Sequence, residues 1–229
     1  MPRRARILLQ GVPLHIIQRG HNRQPCFFSE TDYIVYLDML GEHCHANGCA
    51  LHAYVLMTNH VHLLATLGDV DVAPDLVGRL GQQYSQYQNR KRARRSTLWD
   101  GRYRSSPVPS ETYLLTCQRY IELNPVRAGM AQSPEMYRWS SYRGNAGLAV
   151  DALLTPHPLF TGLAGEPEER WELYRALFGQ ALTDQQLEAI RSATNANHVV
   201  GAERPRPGRP RNPGPRFTDG WRESDVAQK

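Results

Sequence analysis

The chain has 229 residues, 41% of them hydrophobic, which suits one well-packed domain with an appendage. No apolar run approaches the roughly 20 residues that cross a bilayer, so a membrane protein is excluded, and no cleaved signal peptide is expected after the basic N-terminus. The formal charge of +5 at pH 7 favours an acidic partner only weakly by itself.

The first two thirds of the chain alternate between strand and helix patterns. The predicted elements are a strand over 12–19, a helix that Ser29 or Thr31 caps and that ends at 47–48, strands over 50–57 and 60–67, a helix over 74–90, an extended stretch over 105–109 and a helix over 113–123. This order predicts an α+β domain with an antiparallel sheet and helices packed on one face.

After about residue 145 the chain changes character. Residues 167–192 have the apolar spacing of two amphipathic helices, whereas proline, glycine and arginine dominate from Gly201 onward. We therefore predict a main domain over 1–145, a small helical extension over 146–198 and a disordered tail over 199–229. The four cysteines have no disulfide or zinc-finger spacing, which indicates free thiols in a reducing cytoplasm.

Positive charge is concentrated between residues 79 and 104. The window holds one acid, Asp100, against eight cations, namely Arg79, Arg90, Lys91, Arg92, Arg94, Arg95, Arg102 and Arg104. Tyrosines and Trp99 are interleaved with them, and cations interleaved with aromatic rings suit single-stranded nucleic acid. The alternative is a solvated helix face whose aromatic residues belong to the core.

The segment His60-Val61-His62 is the most informative motif. On a strand, residues two apart point to the same side, so both imidazoles project from one face of the sheet. Two adjacent imidazoles are half of a metal site. The alternative is a pair of buried, hydrogen-bonded histidines.

Tyr120 and Asn124 are four residues apart in the helix predicted over 113–123 and its continuation, so they lie on one helical face. An asparagine carbonyl oxygen is a suitable ligand for Mg²⁺ or Mn²⁺. Pro125 bends or ends the helix here, which weakens this geometry for Asn124. If the helix packs beneath the histidine strand, the phenol, the amide and both imidazoles meet.

Four stretches together resemble a known family. The run 51–64 (LHAYVLMTNHVHLL) resembles the signature of the single-tyrosine HUH, or IS200-like, transposases. The runs 18–23 (QRGHNR), 98–105 (LWDGRYRS) and 119–129 (RYIELNPVRAG) resemble the REP-associated tyrosine transposase branch of that family. The resemblance covers about residues 12–143. Similar proteins often continue with more ordered chain after a segment like 190–195, so it says little about the C-terminal part.

The resemblance implies a ferredoxin-like sheet with Tyr120 as nucleophile and with His60, His62 and Asn124 holding a divalent metal, Mg²⁺ or Mn²⁺. It further implies cleavage and rejoining of single-stranded or hairpin DNA at REP-type hairpins through a 5′-phosphotyrosine, in the bacterial cytoplasm near the nucleoid. The appended helices favour a monomer over a homodimer. The residues expected to contact DNA through charge or ring stacking are Arg19, Arg23, Arg90, Lys91, Arg92, Trp99, Arg102, Tyr103 and Arg104.

Several alternatives stay open from the sequence. A DNA-binding protein with a vestigial site would hold hairpins without cutting them, and a metal-dependent hydrolase would use activated water, which leaves Tyr120 without a role. Trp99 suits a core position as well as base stacking. Arg127 could pair with Glu111 or Glu122 instead of touching DNA.

Overall fold

The centre of the fold is a sheet built from the alternating apolar segments of the chain. The computed structural model describes residues 7–69, 73–109 and 111–201. Four strands pair antiparallel in the order β2-β3-β1-β4. They are β1 (Leu14–Arg19), β2 (Ala50–Met57), β3 (His60–Thr66) and β4 (Arg104–Pro107). The predicted α+β class and ferredoxin-like strand order are confirmed.

Eight α-helices accompany the sheet in the described part of the chain. They are α1 (Glu30–Ala46), α2 (Ala73–Lys91), α3 (Glu111–Glu122), α4 (Asn124–Arg127), α5 (Tyr142–Asn145), α6 (Pro158–Thr161), α7 (Pro167–Ala176) and α8 (Asp184–Ala196). Pro125 separates α3 from α4, as its missing N–H predicts. Among these helices, none has the length and apolar character that crossing a bilayer requires.

Both faces of the sheet are covered, because strand alternation makes both faces apolar. Val61, Leu63 and Ala65 of β3 belong to one core with α1 and α2. Leu64 belongs to a second core on the opposite face, with α3 and α8. The prediction put the helices on one face of the sheet. α1 and α2 do share a face, whereas α3 packs on the opposite face, which carries the two histidines.

The C-terminal part packs directly on the sheet. Ile190 and Ala193 of α8 lie in the second core, and the Val200 backbone N–H donates to the Pro107 carbonyl at 2.9 Å. The domain boundaries near residues 145 and 198 stay predictions, and the predicted tail lies outside the described residues beyond Gly201.

A buried carboxylate ties α3 to the segments that follow it. Glu122 is fully buried and accepts hydrogen bonds from Ser141 Oγ at 2.6 Å, Asn145 Nδ2 at 2.8 Å and Tyr174 Oη at 2.6 Å. Burial raises the pKa of Glu122 to about 7, although the three donors pull it down. Because its oxygens are used here, Glu122 is not the partner of Arg127 that the sequence suggested.

A second buried carboxylate joins α1 to the end of α2. Asp32 accepts from the backbone N–H groups of Phe28 and Ser29 and forms an ion pair with Lys91 at 2.6 Å. Burial works against the charged carboxylate, but the hydrogen bonds from Lys91, Phe28, Gln88 and Tyr87 outweigh it and lower the pKa of Asp32 to about 2. The charged form therefore stabilises the fold.

Asp32→Asn is expected to lower the free energy of unfolding at pH 7, because it removes the charged carboxylate and its ion pair. The expected loss is limited to about 2 kcal/mol because solvent screens the partly exposed Lys91. A lowered pKa gives stability that is present above the unfolded value of about 3.9 and is lost as the pH falls through about 2. The difference between wild type and variant in the free energy of unfolding, measured by urea unfolding, should therefore narrow as the pH falls from about 4 to about 2. Exposed Asp38 on the same helix supplies the control, and an equal loss in Asp38→Asn would contradict this role.

Candidate active site

The two histidines of the motif stand side by side on β3. The tight turn at Thr58-Asn59 joins β2 to β3, so His60 opens β3 and His62 follows on the same face. Their ring centroids are 5.0 Å apart. The predicted shared face is confirmed, since the intervening Val61 points into the opposite core.

Each histidine uses its Nδ1 atom in a hydrogen bond. Asn59 donates its Nδ2 to the Arg23 carbonyl at 3.0 Å, which leaves Asn59 Oδ1 to accept from His60 Nδ1–H at 2.6 Å. His60 Nε2 then carries the lone pair. Burial, helped by the charge of Arg19, lowers the pKa of His60 to about 4, so the ring is neutral at pH 7.

His62 is fully enclosed and pairs with a histidine of β1. Its Nδ1 lies 2.9 Å from His15 Nε2, and the two rings stack with centroids 5.1 Å apart. Burial, and then the neighbouring His15 and His60, hold the pKa of His62 well below its usual value. Two neutral imidazoles result, which is the form that binds a metal.

Tyr120 of α3 packs against this histidine group. Its ring centroid is 5.9 Å from that of His62 and 5.8 Å from that of His15, and the residue is 6% exposed. The Arg127 guanidinium covers the ring, with Cζ 4.0 Å from the ring centroid. A phenol, three imidazoles and one cation therefore share a single cluster.

The Asn124 side chain is held by a backbone carbonyl of α3. It begins α4 and donates its Nδ2 to the Tyr120 carbonyl at 3.1 Å, so its Oδ1 is the atom available as a ligand. The described ranges contain no group of three or more His, Cys, Asp or Glu side chains arranged to hold a metal ion. Imidazole nitrogens and an amide oxygen are ligand types that Mg²⁺ or Mn²⁺ can accept beside oxygens of water and phosphate, and the metal site stays a prediction.

The predicted DNA-contacting cations lie on the surface, and several already have protein partners. Lys91 pairs with Asp32, the Arg92 guanidinium lies 3.5 Å from the Phe28 ring centroid, and Arg104 donates to Asn195 Oδ1 at 2.6 Å. The exposed cations of this region and of the β1 end are Arg19, Arg23, Arg79, Arg90, Lys91, Arg92, Arg95, Arg102 and Arg104.

The two predicted stacking rings lie in the core. Trp99 is 5% exposed and donates its indole N–H to the Gly81 carbonyl at 2.8 Å, and Tyr103 is 6% exposed. Both residues line a cavity of about 550 Å³, together with Gln18 and Arg102. The burial of Trp99 favours its alternative role as a core anchor, and base stacking by either ring stays a prediction.

Sequence reasoning gave no place in the site to two members of this cluster, His15 and Arg127, nor to the neighbouring Asn59. His15 reads from the sequence only as a core residue, yet the antiparallel register pairs Ile17 with His62 and so places His15 diagonally across from His62. The contacts of Asn59 depend on the turn between β2 and β3, and those of Arg127 depend on the break between α3 and α4. The link between His15 and His62 depends on the register of β1 with β3, which the sequence does not display.

Comparisons with known proteins bear on the family and the fold of the chain. A family model described as "Transposase IS200 like" matches residues 9–124, just over half of the chain. No curated protein matches.

The solved structures that are similar to the chain include the following two. The structure of a REP-associated tyrosine transposase bound to a REP hairpin is 16% identical, with a TM-score of 0.57 over 69% of this chain and 93% of the other, a likeness that supports the fold. A putative transposase from Deinococcus radiodurans is 25% identical over 53% of this chain and 96% of the other, with a TM-score of 0.37. On the strength of the family match, the chain belongs to the IS200-like transposase family.

Proposed function

We propose that the protein cleaves and rejoins single-stranded DNA beside REP-type hairpins, with Tyr120 as the nucleophile. The observation that carries this proposal is the packing of the Tyr120 ring against His62, which itself neighbours His60. A tyrosine packed beside neutral imidazoles that could hold a cation suits covalent phosphoryl transfer by a phenol. The similar REP-associated transposase was solved with a REP hairpin bound to it, which supports the class of substrate.

The chemical step is a transfer of one phosphodiester bond. The Tyr120 oxygen attacks the scissile phosphorus, the bond to the 3′-oxygen of the preceding nucleotide breaks, and the phenolic proton is balanced by the proton that this 3′-oxygen gains. The products are a 5′-phosphotyrosine and a free 3′-hydroxyl. Attack by a 3′-hydroxyl on the phosphotyrosine reverses the step, so rejoining needs no nucleotide cofactor.

The neighbouring side chains have separate tasks. His60, His62 and Asn124 would hold the divalent cation, which when bound polarises the scissile phosphate and neutralises its charge. Arg127, stacked on the Tyr120 ring, places a fixed positive charge where that phosphate must approach. The histidines also shield the phenol from bulk water.

The path of the DNA follows from where the cations lie. β1 ends and β3 begins at one end of the sheet, where Arg19 pairs with His60 in the strand register. The Arg23 loop is bonded to Asn59 at the same end, and β4 begins there with Arg104. A strand crossing this end would contact the basic residues while passing the histidine pair.

Binding to single-stranded DNA is expected to weaken steeply as salt rises, because the 79–104 cluster displaces counterions. A logarithmic plot of affinity against salt should have a slope of about −3 or steeper. Combining Arg90→Gln, Arg95→Gln and Arg102→Gln should make that slope shallower by about 2, whereas Arg143→Gln in α5 should not. Fluorescence anisotropy between low and moderate salt measures this, and a flat response would contradict the proposed basic surface.

End-labelled DNA tests the proposal. A hairpin with a single-stranded 5′ flank is incubated with the protein and Mn²⁺ and run on a denaturing gel. With a 3′ label, the radioactivity should migrate with the protein, because the downstream fragment is attached to it. With a 5′ label, a shorter free strand ending in a 3′-hydroxyl should appear.

The other outcomes separate the alternatives. If the DNA is cut with either label but no product is linked to the protein, the result would support a hydrolase that uses water. Tight hairpin binding without cleavage at any divalent metal would support a DNA-binding protein with a vestigial site. Either result would overturn the proposed transposase chemistry.

A further inference from the structure

A chain of three buried side chains connects the C-terminal helix to the histidine pair. His15 Nε2 lies 2.9 Å from His62 Nδ1, and His15 Nδ1 lies 3.1 Å from the Thr194 hydroxyl. Thr194 is on α8, 132 residues along the chain from His62 (194 − 62), and is 1% exposed. Each contact in this chain is a direct one between two side chains.

The direction of each proton in this chain follows from the threonine. Thr194 donates its one hydroxyl proton to the Ile190 carbonyl, 2.8 Å away and one helical turn earlier. Its oxygen can then only accept, so His15 must donate from Nδ1. A neutral His15 that is protonated at Nδ1 has its lone pair at Nε2, and it accepts there from His62 Nδ1–H.

We propose that Thr194 and His15 are positioning residues that hold His62 in the tautomer with a bare Nε2 atom. This inference rests on the proposed function, in which that atom faces a divalent cation. If the order of donors were reversed, a proton on His62 Nε2 would point at the cation and block it. Histidine ligands commonly owe their tautomer to such an outer hydrogen bond.

This chain of hydrogen bonds from Thr194 through His15 to His62, called the relay below, connects α8 to the site. Ile190 and Ala193 anchor α8 in the core around the histidine face, and Thr194 projects from that anchored turn. His60 receives the equivalent help locally, from Asn59, and needs no distant residue. The tautomers of His60 and His62 are thus set by separate neighbouring residues.

Mn²⁺ binding to the DNA-free protein tests the relay. Thr194→Val keeps the shape of the side chain but removes the hydroxyl, and we expect it to raise the Mn²⁺ dissociation constant about 10- to 100-fold. Thr194→Ser restores the hydroxyl and should bind within about threefold of wild type, a difference too small to indicate loss of an outer hydrogen bond. Loss of the free-ion electron paramagnetic resonance signal measures the affinity, and thermal melting verifies that each variant is folded.

A second measurement needs no metal. Nitrogen-15 spectra of the metal-free wild type should show His62 protonated at Nδ1, and Thr194→Val should shift the proton to Nε2. Equal Mn²⁺ affinities for wild type and Thr194→Val, or His62 protonated at Nε2 in the wild type, would overturn the relay alone. Absence of a Mn²⁺ site that depends on His60 and His62 would overturn both the relay and the metal part of the proposed function.

Discussion

Replacing Tyr120 with phenylalanine is expected to abolish the protein–DNA adduct and to reduce strand cleavage by about 1,000-fold or more, as loss of a covalent nucleophile does. Phenylalanine keeps the ring that packs on His15, His62 and Arg127, so the fold and DNA binding should survive. Only the oxygen that forms the bond is removed. A denaturing gel with labelled hairpin DNA, combined with a binding assay, measures both quantities.

Tyr113 provides the matched control. It lies on α3 two turns before Tyr120 and is partly buried, but it has no place in the histidine cluster. Tyr113→Phe should therefore form the adduct as the wild type does. An adduct that persists in Tyr120→Phe would remove Tyr120 from the role of nucleophile.

Removing one imidazole should have the next largest effect. His60→Ala is expected to lower metal-dependent cleavage about 100-fold or more, because one cation ligand is lost while a phosphate charge must still be neutralised. His60 is only partly buried, so this variant is the less disruptive choice, and His62→Ala should behave similarly if it folds. Cleavage rates across a Mn²⁺ titration measure the loss, and excess Mn²⁺ should restore part of the rate.

An exposed histidine far from the cluster controls for the loss of any imidazole. His45 lies on α1 and is exposed, so His45→Ala should cleave at the wild-type rate. If His60→Ala retained full activity at every Mn²⁺ concentration, the histidine pair would be structural, as two buried and hydrogen-bonded imidazoles.

The sheet and the histidine pair could be predicted because both depend on local periodicity. Alternation along 50–67 predicted two strands and a tight turn at Thr58-Asn59, and the same alternation placed His60 and His62 on one face. Pro125 likewise predicted where α3 ends. Such features follow from neighbours along the chain, which the sequence displays directly.

The rest of the site depends on contacts between distant segments. His15 joins His62 only through the register of β1 with β3, and Thr194 reaches His15 only because α8 packs on the sheet. Nothing in the periodicity of 184–196 indicates which face meets which strand. Trp99 illustrates the same limit, since its place in the core follows from a bond to Gly81 that spacing cannot predict.

The position of the covalent link tests the central claim most directly. Trypsin would release residues 120–127 (YIELNPVR) as one peptide, because it cleaves after Arg119 and after Arg127, and Tyr120 is the only tyrosine in that peptide. After nuclease digestion of the adduct, mass spectrometry should find this peptide carrying a nucleotide through a 5′-phosphate on Tyr120. The same nucleotide on a different residue, or a cut strand with no modified peptide, would contradict the assignment of Tyr120 as the group that receives the DNA.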